Sequence, residues 1–344
     1  MPLVEIEDLC VEFGPTSAPA IAVDHLSFAL DEGEIVGLVG ESGSGKSVTA
    51  LALLGLIEFP GRVNAKRMAF AGHDLLRLSG AERRRLIGKD LAMIFQDPIA
   101  SLDPCYTVGY QITEALAEHG TDAERRDGSA RRKRAIELLE QVEIPDAAAR
   151  LRAFPHQLSG GMAQRVMIAT AIACNPRLLI ADEPTTALDV TIQAQIVELV
   201  GRLKDDFDSA VIFITHDLGV IADIADEIIV MYAGRVVERG TKRDLFYDPQ
   251  HPYTWGLLGS IPRLDRPRVE RLHTIEGSPP SLINPPEGCK FRPRCPHAFE
   301  KCFEEPPLEN RVEEAGHLDR CWLDVEFKRA HRDQTISGGS VEAA

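Results

Sequence analysis

The chain has 344 residues, of which 44% are hydrophobic and 26% are charged, which is typical of a globular protein with one large domain and an appendage, or with two domains. A net charge of −15 argues against nucleic-acid binding unless a local basic patch compensates for it. No apolar run approaches the roughly 20 residues of a membrane span, and the acidic N-terminal residues predict no secretory signal. We therefore expect a protein of the cytosol.

The first part of the chain predicts a strand, a glycine-rich loop and a helix in succession. Apolar and polar residues alternate through residues 3–39, and this stretch ends in the apolar strand EIVGLVG. The following SVTALALLGLI is rich in helix-forming residues and has no breaker before Gly55. This order is typical of the βα units of α/β proteins.

The middle of the chain predicts more strands and a helical insertion. RMAFAG and LAMIFQ resemble short strands, whereas helical periodicity predicts an α-helical subdomain over about residues 103–175. RLLIADE and AVIFITHD then resemble buried strands, separated by a helix around Ile192 to Leu203. Parallel strands with crossover helices satisfy this pattern, so we expect an α/β core.

The last hundred residues differ from the rest of the chain in amino-acid composition. Frequent prolines leave little room for long regular elements after residue 241. We expect a core over residues 1–245, a loop-rich module over 246–325 and a disordered tail over 326–344.

The loop after EIVGLVG fits the phosphate-loop pattern. Glycines let backbone N–H groups turn toward phosphate oxygens, and the next helix adds its positive N-terminal end. Lys46 supplies a charge for the β- and γ-phosphates, and Ser47 offers a hydroxyl to Mg²⁺. The predicted nucleotide-binding residues of this loop are Gly40, Ser42, Gly43, Ser44, Gly45, Lys46, Ser47 and Val48.

Two adjacent carboxylates end the buried strand LLIAD. Successive strand residues point to opposite sides, so Asp182 and Glu183 can have different roles. Asp182 is predicted to help to hold Mg²⁺, and Glu183 to act as the general base on the attacking water.

A second anion cradle is predicted at Ser159, Gly160 and Gly161, where a serine hydroxyl and backbone amides begin a helix. This Leu-Ser-Gly-Gly stretch resembles the signature motif of the ATP-binding cassette (ABC) family. The resemblance implies a P-loop NTPase core with an antiparallel β-subdomain. It also implies a head-to-tail dimer, in which the signature of one subunit caps the ATP held by the other.

The same resemblance assigns four further residues. Gln96 matches the glutamine that senses Mg²⁺ and water near the membrane partner, and Asp189 matches the loop that crosses the dimer interface. His216 matches the switch histidine at the γ-phosphate, and Phe13 matches the aromatic residue that stacks on adenine. Catalytic roles are thereby expected for Glu183, His216, Gln96 and Lys46.

A longer resemblance covers nearly the whole chain up to about Cys321. AMIFQDPIASLDPCYTVGYQI, RLLIADEPTTALDVTIQAQI and the stretch from His251 to GLLGSIP are similar to ATPase subunits of bacterial dipeptide and oligopeptide importers, most of all dipeptide permeases. The resemblance implies a peripheral subunit on the cytoplasmic face of the membrane. The implied partners are a homologous second ATPase, two membrane permeases and an extracytoplasmic peptide-binding protein.

Four cysteines cluster in the proline-rich module: Cys289, Cys295, Cys302 and Cys321. Disulfides are not expected in the cytosol. No pair has the two-to-four-residue spacing common in structural zinc sites, which weakens zinc without excluding it. Four thiolates also suit a [4Fe–4S] cluster, which the family resemblance implies, and unligated thiols remain a third alternative. His297 and His317 are weaker ligand candidates.

Two other functions are compatible with parts of the sequence. A soluble ABC ATPase acting on nucleic acid or the ribosome would share every nucleotide motif, but it is less consistent with a single cassette, no sustained heptads and a net charge of −15. An iron–sulfur electron carrier would leave the nucleotide motifs without a role. We therefore expect a peptide-importer ATPase.

Overall fold

The computed structural model of the protein describes residues 1–186, 188–261, 274–312 and 316–336. Residue contacts divide the chain into two compact units. Unit 1 comprises Met1–Val4, Leu30–Ile35 and Ala69–Ile214, and unit 2 comprises Glu5–Ala29, Val36–Met68 and Thr215–Ala344. Each unit is described by itself.

The strands are distributed over both units. They are β1 (Val4–Phe13), β2 (Ala20–Leu30), β3 (Ile35–Val39), β4 (Arg62–Asn64), β5 (Arg67–Phe70), β6 (His73–Asp74), β7 (Leu91–Ile94), β8 (Leu178–Asp182), β9 (Ala210–Thr215), β10 (Glu227–Tyr232), β11 (Arg235–Thr241), β12 (Glu309–Asn310) and β13 (Leu318–Asp319).

The α-helices range from single turns to five turns. They are α1 (Lys46–Leu54), α2 (Gly80–Leu86), α3 (Pro98–Ser101), α4 (Val108–His119), α5 (Asp122–Arg126), α6 (Gly128–Gln141), α7 (Ala147–Arg150), α8 (Gly160–Ala171), α9 (Val190–Phe207), α10 (Leu218–Ile221), α11 (Lys242–Tyr247), α12 (Pro252–Gly259) and α13 (Val325–Ile336).

Unit 1 is built on the parallel strands β7, β8 and β9, with β8 in the middle. All residues of these strands are buried, as expected for parallel strands covered on both faces. Helices α3 to α8 lie between β7 and β8 in the chain, and α8 packs against β7, α3, α4 and α6. The carboxyl ends of β7 and β8 therefore meet at one edge of this sheet.

Unit 2 contains a mixed sheet in which β10 pairs in parallel with β3 and antiparallel with β11. The C-terminal strands extend this sheet, since β11 pairs with β13 and β13 with β12, both antiparallel. Antiparallel pairing also joins β1 to β4. The phosphate loop follows β3, so it lies in the same compact unit as the C-terminal region.

Several sequence predictions are confirmed by these elements. The mixed α/β fold is observed, with strands at EIVGLVG, RMAFAG, LAMIFQ, RLLIADE and AVIFITHD. Helix α1 ends before Gly55, whose φ of 68° allows the left-handed cap that stops the helix. Within the described part of the chain, no helix combines the length and apolarity that a bilayer crossing requires.

The C-terminal region differs from the prediction in two respects. The expected disordered tail at 326–344 is wrong for its first part, because α13 forms over Val325–Ile336 and packs on α12. The remaining residues, 337–344, lie outside the described residues. In addition, the loop-rich module contains β12 and β13, which continue the sheet that contains β3; the domain boundary at residue 245 stays a prediction.

Candidate nucleotide-binding site

The phosphate loop needs glycine at two positions for steric reasons. At Gly40, φ is 154° and an added Cβ would lie 2.1 Å from the carbonyl oxygen of Met231. At Gly45, φ is 103° and an added Cβ would lie 2.4 Å from the carbonyl oxygen of Ala22. Neither position can accept a side chain without moving the backbone. The tight packing holds the loop in one conformation.

Lys46 lies at the start of α1 with only 3% of its surface exposed. Its Nζ donates to the carbonyl oxygens of Gly40, at 2.7 Å, and Glu41, at 3.0 Å. Gly45, the N-cap residue of α1, provides no side chain to the N–H groups of the first helical turn. An ammonium and several amides therefore converge at this loop, as a phosphate site requires.

Ser44 and Ser47 place two hydroxyls in the same loop. Ser44 is 3% exposed and lies 3.5 Å from the Lys46 Nζ, whereas Ser47 is half-buried in the first turn of α1. Ser42 and Gly43 are exposed, and Val48 is half-buried on α1. The predicted nucleotide-binding residues from Gly40 to Val48 are thus grouped in one turn of chain.

Phe13 and His216 belong to the same compact unit as the phosphate loop. Phe13 ends β1 and is half-buried, and a Cβ on Gly61 would lie 2.9 Å from its Cε1. His216 follows β9 and is exposed. Both assignments remain predictions, because they depend on a bound nucleotide.

The predicted carboxylates lie at the end of β8 in unit 1. Asp182 is the last residue of this strand and is 6% exposed. The backbone of Glu183 then turns into the left-handed region, with φ of 45°, and its N–H donates to the carbonyl oxygen of Ile214 at 2.9 Å. The two side chains therefore leave the strand in different directions.

Gln96 and Glu183 are in contact although they are 87 positions apart. The Nε2 of Gln96 donates to Oε2 of Glu183 at 3.3 Å, and the Oγ1 of Thr186 donates to the same oxygen at 2.9 Å. The structure thus brings together the predicted general base and the predicted water-sensing residue. The sequence interpretation gave Thr186 no role, and its spacing of three residues after an acid was the available signal.

The signature residues begin α8 in unit 1 and face solvent. Ser159 is the N-cap and accepts a hydrogen bond from the N–H of Met162 at 3.3 Å. A Cβ on Gly160 would meet nothing within 4 Å, whereas one on Gly161 would lie 3.4 Å from Cγ2 of Ile192. The backbone amides at the start of α8 are thus open on the Gly160 side.

Asp189 caps the neighbouring helix in the same way. Its side chain accepts from the N–H of Ile192 at 3.0 Å, and Val190 is 81% exposed at the helix start. Ala187, in the same predicted interface loop, lies outside the described residues. Two adjacent helix N-termini with exposed residues form the kind of surface that a partner subunit could cover.

The four C-terminal cysteines are free thiols in unit 2. Burial raises the pKa of Cys289 to about 11 and that of Cys321 to about 12, and the pKa of Cys295 is also raised by burial. The other three thiols contribute to the raised pKa of Cys295, which shows that the four lie close together.

Backbone N–H groups point at three of these sulfur atoms. The donors are Phe291 and Arg292 for Cys289, His297 for Cys295 and Leu323 for Cys321, so each cysteine has a donor two residues after it. Hydrogen bonds of this kind stabilise thiolates and are typical of metal–thiolate sites. The repeated geometry is compatible with metal ligation.

The spacing of the thiols bears on which metal they could hold. Among the described residues, no three of these sulfur atoms lie within 4.8 Å of one another. A tetrahedral zinc ion with Zn–S bonds of about 2.3 Å places its thiolates about 3.8 Å apart. As they lie here, the four thiols do not form a closed tetrahedral set.

The two histidines named as substitute ligands have other surroundings. His317 is buried, and its Nε2 lies 2.8 Å from Oε1 of Glu238. His297 makes edge contacts with the rings of Trp255 and Phe327. Both were expected to be surface histidines, which is wrong for the buried His317, whereas His297 is half-buried.

A three-residue group on β1 and β2 was not identified from the sequence. Cys10, interpreted there as a small hydrophobic residue, has its Sγ 3.7 Å from Nδ1 of His25, which contacts Asp8. Lys66 neutralises Asp8 through an ion pair of 2.8 Å. This ion pair balances the negative charge of the Asp8 carboxylate, so the group does not require a metal ion.

Comparisons with known proteins agree with this geometry. The family model for ABC transporters matches residues 23–186, and the model for the C-terminal region of oligopeptide/dipeptide transporters matches residues 237–302. A solved dimeric ATP-binding cassette in a post-hydrolysis state, bound to ADP and Pi, superimposes with a TM-score of 0.60 and 28% identity, covering 70% of this chain and 99% of that chain. The predicted cassette fold is confirmed.

Similarity to curated relatives extends over most of the chain. The dipeptide transport ATP-binding protein DppD of Escherichia coli (strain K12) is 54% identical over 321 residues, 93% of this chain and 96% of that protein. The oligopeptide transport ATP-binding protein OppD of Bacillus subtilis (strain 168) is 50% identical over 322 residues, 93% of this chain and 88% of that protein. The chain therefore belongs to the ABC transporter family and, within it, to the dipeptide and oligopeptide transport ATP-binding proteins.

Proposed function

We propose that this chain hydrolyses ATP to power the import of dipeptides or oligopeptides through a membrane transporter. The observation that carries the proposal is the contact of Gln96 and Thr186 with the carboxylate of Glu183. A positioned carboxylate at the end of a buried strand, in a chain with a complete phosphate loop, is the arrangement that nucleotide hydrolysis needs. The names of the relatives supply the transported class.

Each predicted residue has a chemical task in this proposal. The phosphate loop binds the triphosphate, Phe13 stacks on the adenine and His216 contacts the γ-phosphate. Ser47, Gln96 and Asp182 provide the oxygen donors that Mg²⁺ prefers, and the ion would offset phosphate charge. Glu183 accepts the proton of the attacking water.

Dimer closure couples this chemistry to transport. Ser159, Gly160 and Gly161 contact the ATP of the facing subunit only in the closed state, so ATP binding favours closure. Asp189 lies at the same exposed surface and would cross the interface. Hydrolysis and phosphate release remove the contacts that favoured closure, and the dimer reopens.

The proposed assembly contains two different ATPases. This chain would pair with a homologous second ATPase, and both would lie on the cytoplasmic face of the membrane against two permeases. An extracytoplasmic binding protein would deliver the peptide. The relatives are transport proteins, which favours this assembly over the alternative of a soluble ATPase acting on nucleic acid or the ribosome.

Replacing the proposed base tests the function directly. We expect Glu183→Gln to lower the ATP turnover by about 10² or more, because the amide cannot accept the proton, while ATP binding stays intact. Turnover is measured by phosphate release, and binding by titration with a fluorescent ATP analogue. Glu198→Gln, at an exposed position of α9, is the matched control. Turnover near that of the wild-type protein in Glu183→Gln would contradict the assigned role.

The four thiols are proposed to hold a [4Fe–4S] cluster, with zinc as the alternative. Support comes from the presence of four free thiols in one part of the fold, since four thiolates are the usual ligands of such a cluster. A bound metal would supply the positive charge that keeps buried thiolates ionised. Its role here is to tie together a loop-rich segment, and no redox step is implied.

Metal analysis distinguishes the alternatives. We expect brown protein with iron and acid-labile sulfide at about four atoms each per chain. Cys295→Ser should lose most of the iron and the colour, whereas Cys105→Ser, an exposed cysteine outside the group, should keep both. Colourless protein with one zinc ion per chain would reverse the preference for a cluster.

A further inference from the structure

The phosphate loop is in direct contact with the cysteine-bearing segment. The carboxylate of Glu41, the second residue of the loop, receives two hydrogen bonds from the guanidinium of Arg294, at 2.6 Å and 3.0 Å. The side chain of Arg294 is only 5% exposed and that of Glu41 is 29% exposed. A bidentate pair of this kind fixes direction as well as distance.

Arg294 is itself held in place on its own side of the contact. It donates to the carbonyl oxygens of Glu276, at 2.8 Å, and Ile275, at 3.1 Å. It also donates to the hydroxyl of Tyr232 at 3.4 Å.

The backbone of Glu41 is held by a second residue from the C-terminal part of unit 2. Its N–H donates to the hydroxyl of Tyr253 at 2.7 Å. Tyr253 is fully buried, and its ring lies 5.4 Å from that of Phe291, three residues before Arg294. The side chain and the backbone of Glu41 are thus both fixed from outside the loop.

Glu41 in turn contacts the residue that binds phosphate. Its carbonyl oxygen accepts a hydrogen bond from Nζ of Lys46 at 3.0 Å. A shift of the Glu41 backbone would therefore move an anchor of Lys46. Without Arg294, the Glu41 carboxylate would also add an uncompensated negative charge beside the site for the triphosphate.

We propose that Arg294 is a positioning residue for nucleotide binding: it holds Glu41 and cancels its charge, so that the C-terminal segment sets the ATP affinity of the phosphate loop. This extends the proposed function, since it assigns to the cysteine-bearing segment a role in the ATP site. Arg294 acts on the nucleotide site through Glu41, whose carbonyl oxygen accepts from Lys46. Its effect belongs to binding and not to the chemical step.

The chain offers a matched control for the loss of one arginine. Arg292 lies in the same short 3₁₀ turn, Arg292–Arg294, and its guanidinium stacks over the ring of Phe303 at 3.7 Å from the centroid. Arg292→Ala removes the same charge and the same atoms from the segment. It leaves the ion pair with Glu41 in place.

The experiment measures the Kd of a fluorescent ATP analogue with the full chain and Mg²⁺ present. We expect Arg294→Ala to raise this Kd about tenfold, as expected for a lost charged hydrogen-bond pair, and Arg292→Ala to change it less than twofold. Arg294→Lys keeps the charge but not the planar fork, so an intermediate value is expected. In steady-state ATPase assays, KM should rise while kcat at saturating ATP changes less than twofold.

A second substitution distinguishes the proposed role of Arg294, which is to position Glu41 and to compensate its charge, from a general loss of structure in the variant. Glu41→Gln in the Arg294→Ala background removes the uncompensated carboxylate, so the Kd should return toward that of the wild-type protein. An unchanged Kd in Arg294→Ala, an equal loss in Arg292→Ala, or no recovery in the double variant would each overturn the proposal. Failure of the wild-type protein to bind ATP would instead contradict the proposed function.

Discussion

Glu183 occupies a backbone conformation that is unfavourable for its residue type. Its φ of 45° lies in the left-handed region, which costs roughly 1–2 kcal/mol for a residue with a Cβ. The N–H bond to Ile214 and the side-chain bonds from Gln96 and Thr186 compensate for this cost. Strain that is held by several neighbours is common at functional sites, because it fixes a side chain in one direction. The proposed base is therefore oriented before substrate binds.

The residues of the site differ in how far they could be predicted from sequence. The phosphate loop could be predicted because its function depends on glycines, Lys46 and Ser47 within eight consecutive residues. The Arg294–Glu41 pair could not, because its partners are 253 positions apart and neither residue belongs to a pattern that indicates the other. The contact of Thr186 with Glu183 lies between these two cases, because the sequence shows the three-residue spacing of the two residues but not their hydrogen bond.

Helix α13 owes its stability to contacts that its sequence does not reveal. The Nζ of Lys328 donates to Oδ2 of Asp319 at 2.6 Å, and both side chains are buried. The aromatic ring of Phe327 stacks on His331 at 3.9 Å. Arg329 and Arg332 pair with Asp248. A helix held by ion pairs and one aromatic stack lacks the apolar periodicity that would have predicted it.

The buried pair makes the stability of this region depend on pH. The pKa of Asp319 is raised to about 6: burial is the main cause and the charge of Glu238 adds to it, whereas Lys328 and Arg311 oppose the rise. Lys328→Met removes the main opposing charge, so the folded-state pKa of Asp319 rises above 6 in the variant. A carboxyl with a raised folded pKa stabilises the fold below its unfolded pKa of about 3.9 and loses that contribution as the pH rises through the folded pKa.

We therefore expect Lys328→Met to be destabilised by about 3 kcal/mol at pH 8 and by clearly less at pH 5, where Asp319 can be protonated. Thermal melts at the two pH values measure the difference from the wild-type protein. Lys133→Met, an exposed lysine of α6, is the control and should change the Tm at neither pH. If Lys328→Met loses the same amount of stability at pH 5 and at pH 8, Asp319 does not take up a proton in the variant.

The elements that were predicted correctly share a clear local signal. Strands β3, β8 and β9 are continuous apolar runs that end in polar residues, and α1 is bounded by glycines. Strands β12 and β13 have two residues each, which is too short for any periodicity. These two strands extend the sheet of unit 2, and no pattern in the sequence indicates this pairing.

At the scale of the whole molecule, the chain carries one phosphate loop and one exposed signature. The phosphate loop is packed tightly against its own unit, whereas Ser159 and Gly160 face solvent. A signature that serves the ATP of another subunit must be exposed in the single chain. The proposed dimer thus predicts that damage at the signature affects association and leaves ATP binding by the single chain intact.

Gly160→Asp tests this separation of roles. A Cβ at Gly160 meets nothing within 4 Å, so the substitution does not disturb the fold, while the added carboxylate would repel the partner's triphosphate. Gly80→Asp is the matched control, because Gly80 also follows a serine N-cap, Ser79, at the first position of a helix. Both changes are made in the Glu183→Gln background, where slow hydrolysis prolongs the closed state.

The measurement is the molar mass with and without ATP, by size exclusion with light scattering, for this chain alone and for this chain with the proposed second ATPase. We expect ATP-dependent association of Glu183→Gln and of its Gly80→Asp derivative, and loss of association in the Gly160→Asp derivative. The Kd for the fluorescent ATP analogue, measured at a chain concentration too low for association, should stay within twofold in all three, since each chain keeps its phosphate loop. Association that survives Gly160→Asp would show that the signature does not contact the nucleotide across the interface, and the dimer would then need another basis for its dependence on ATP.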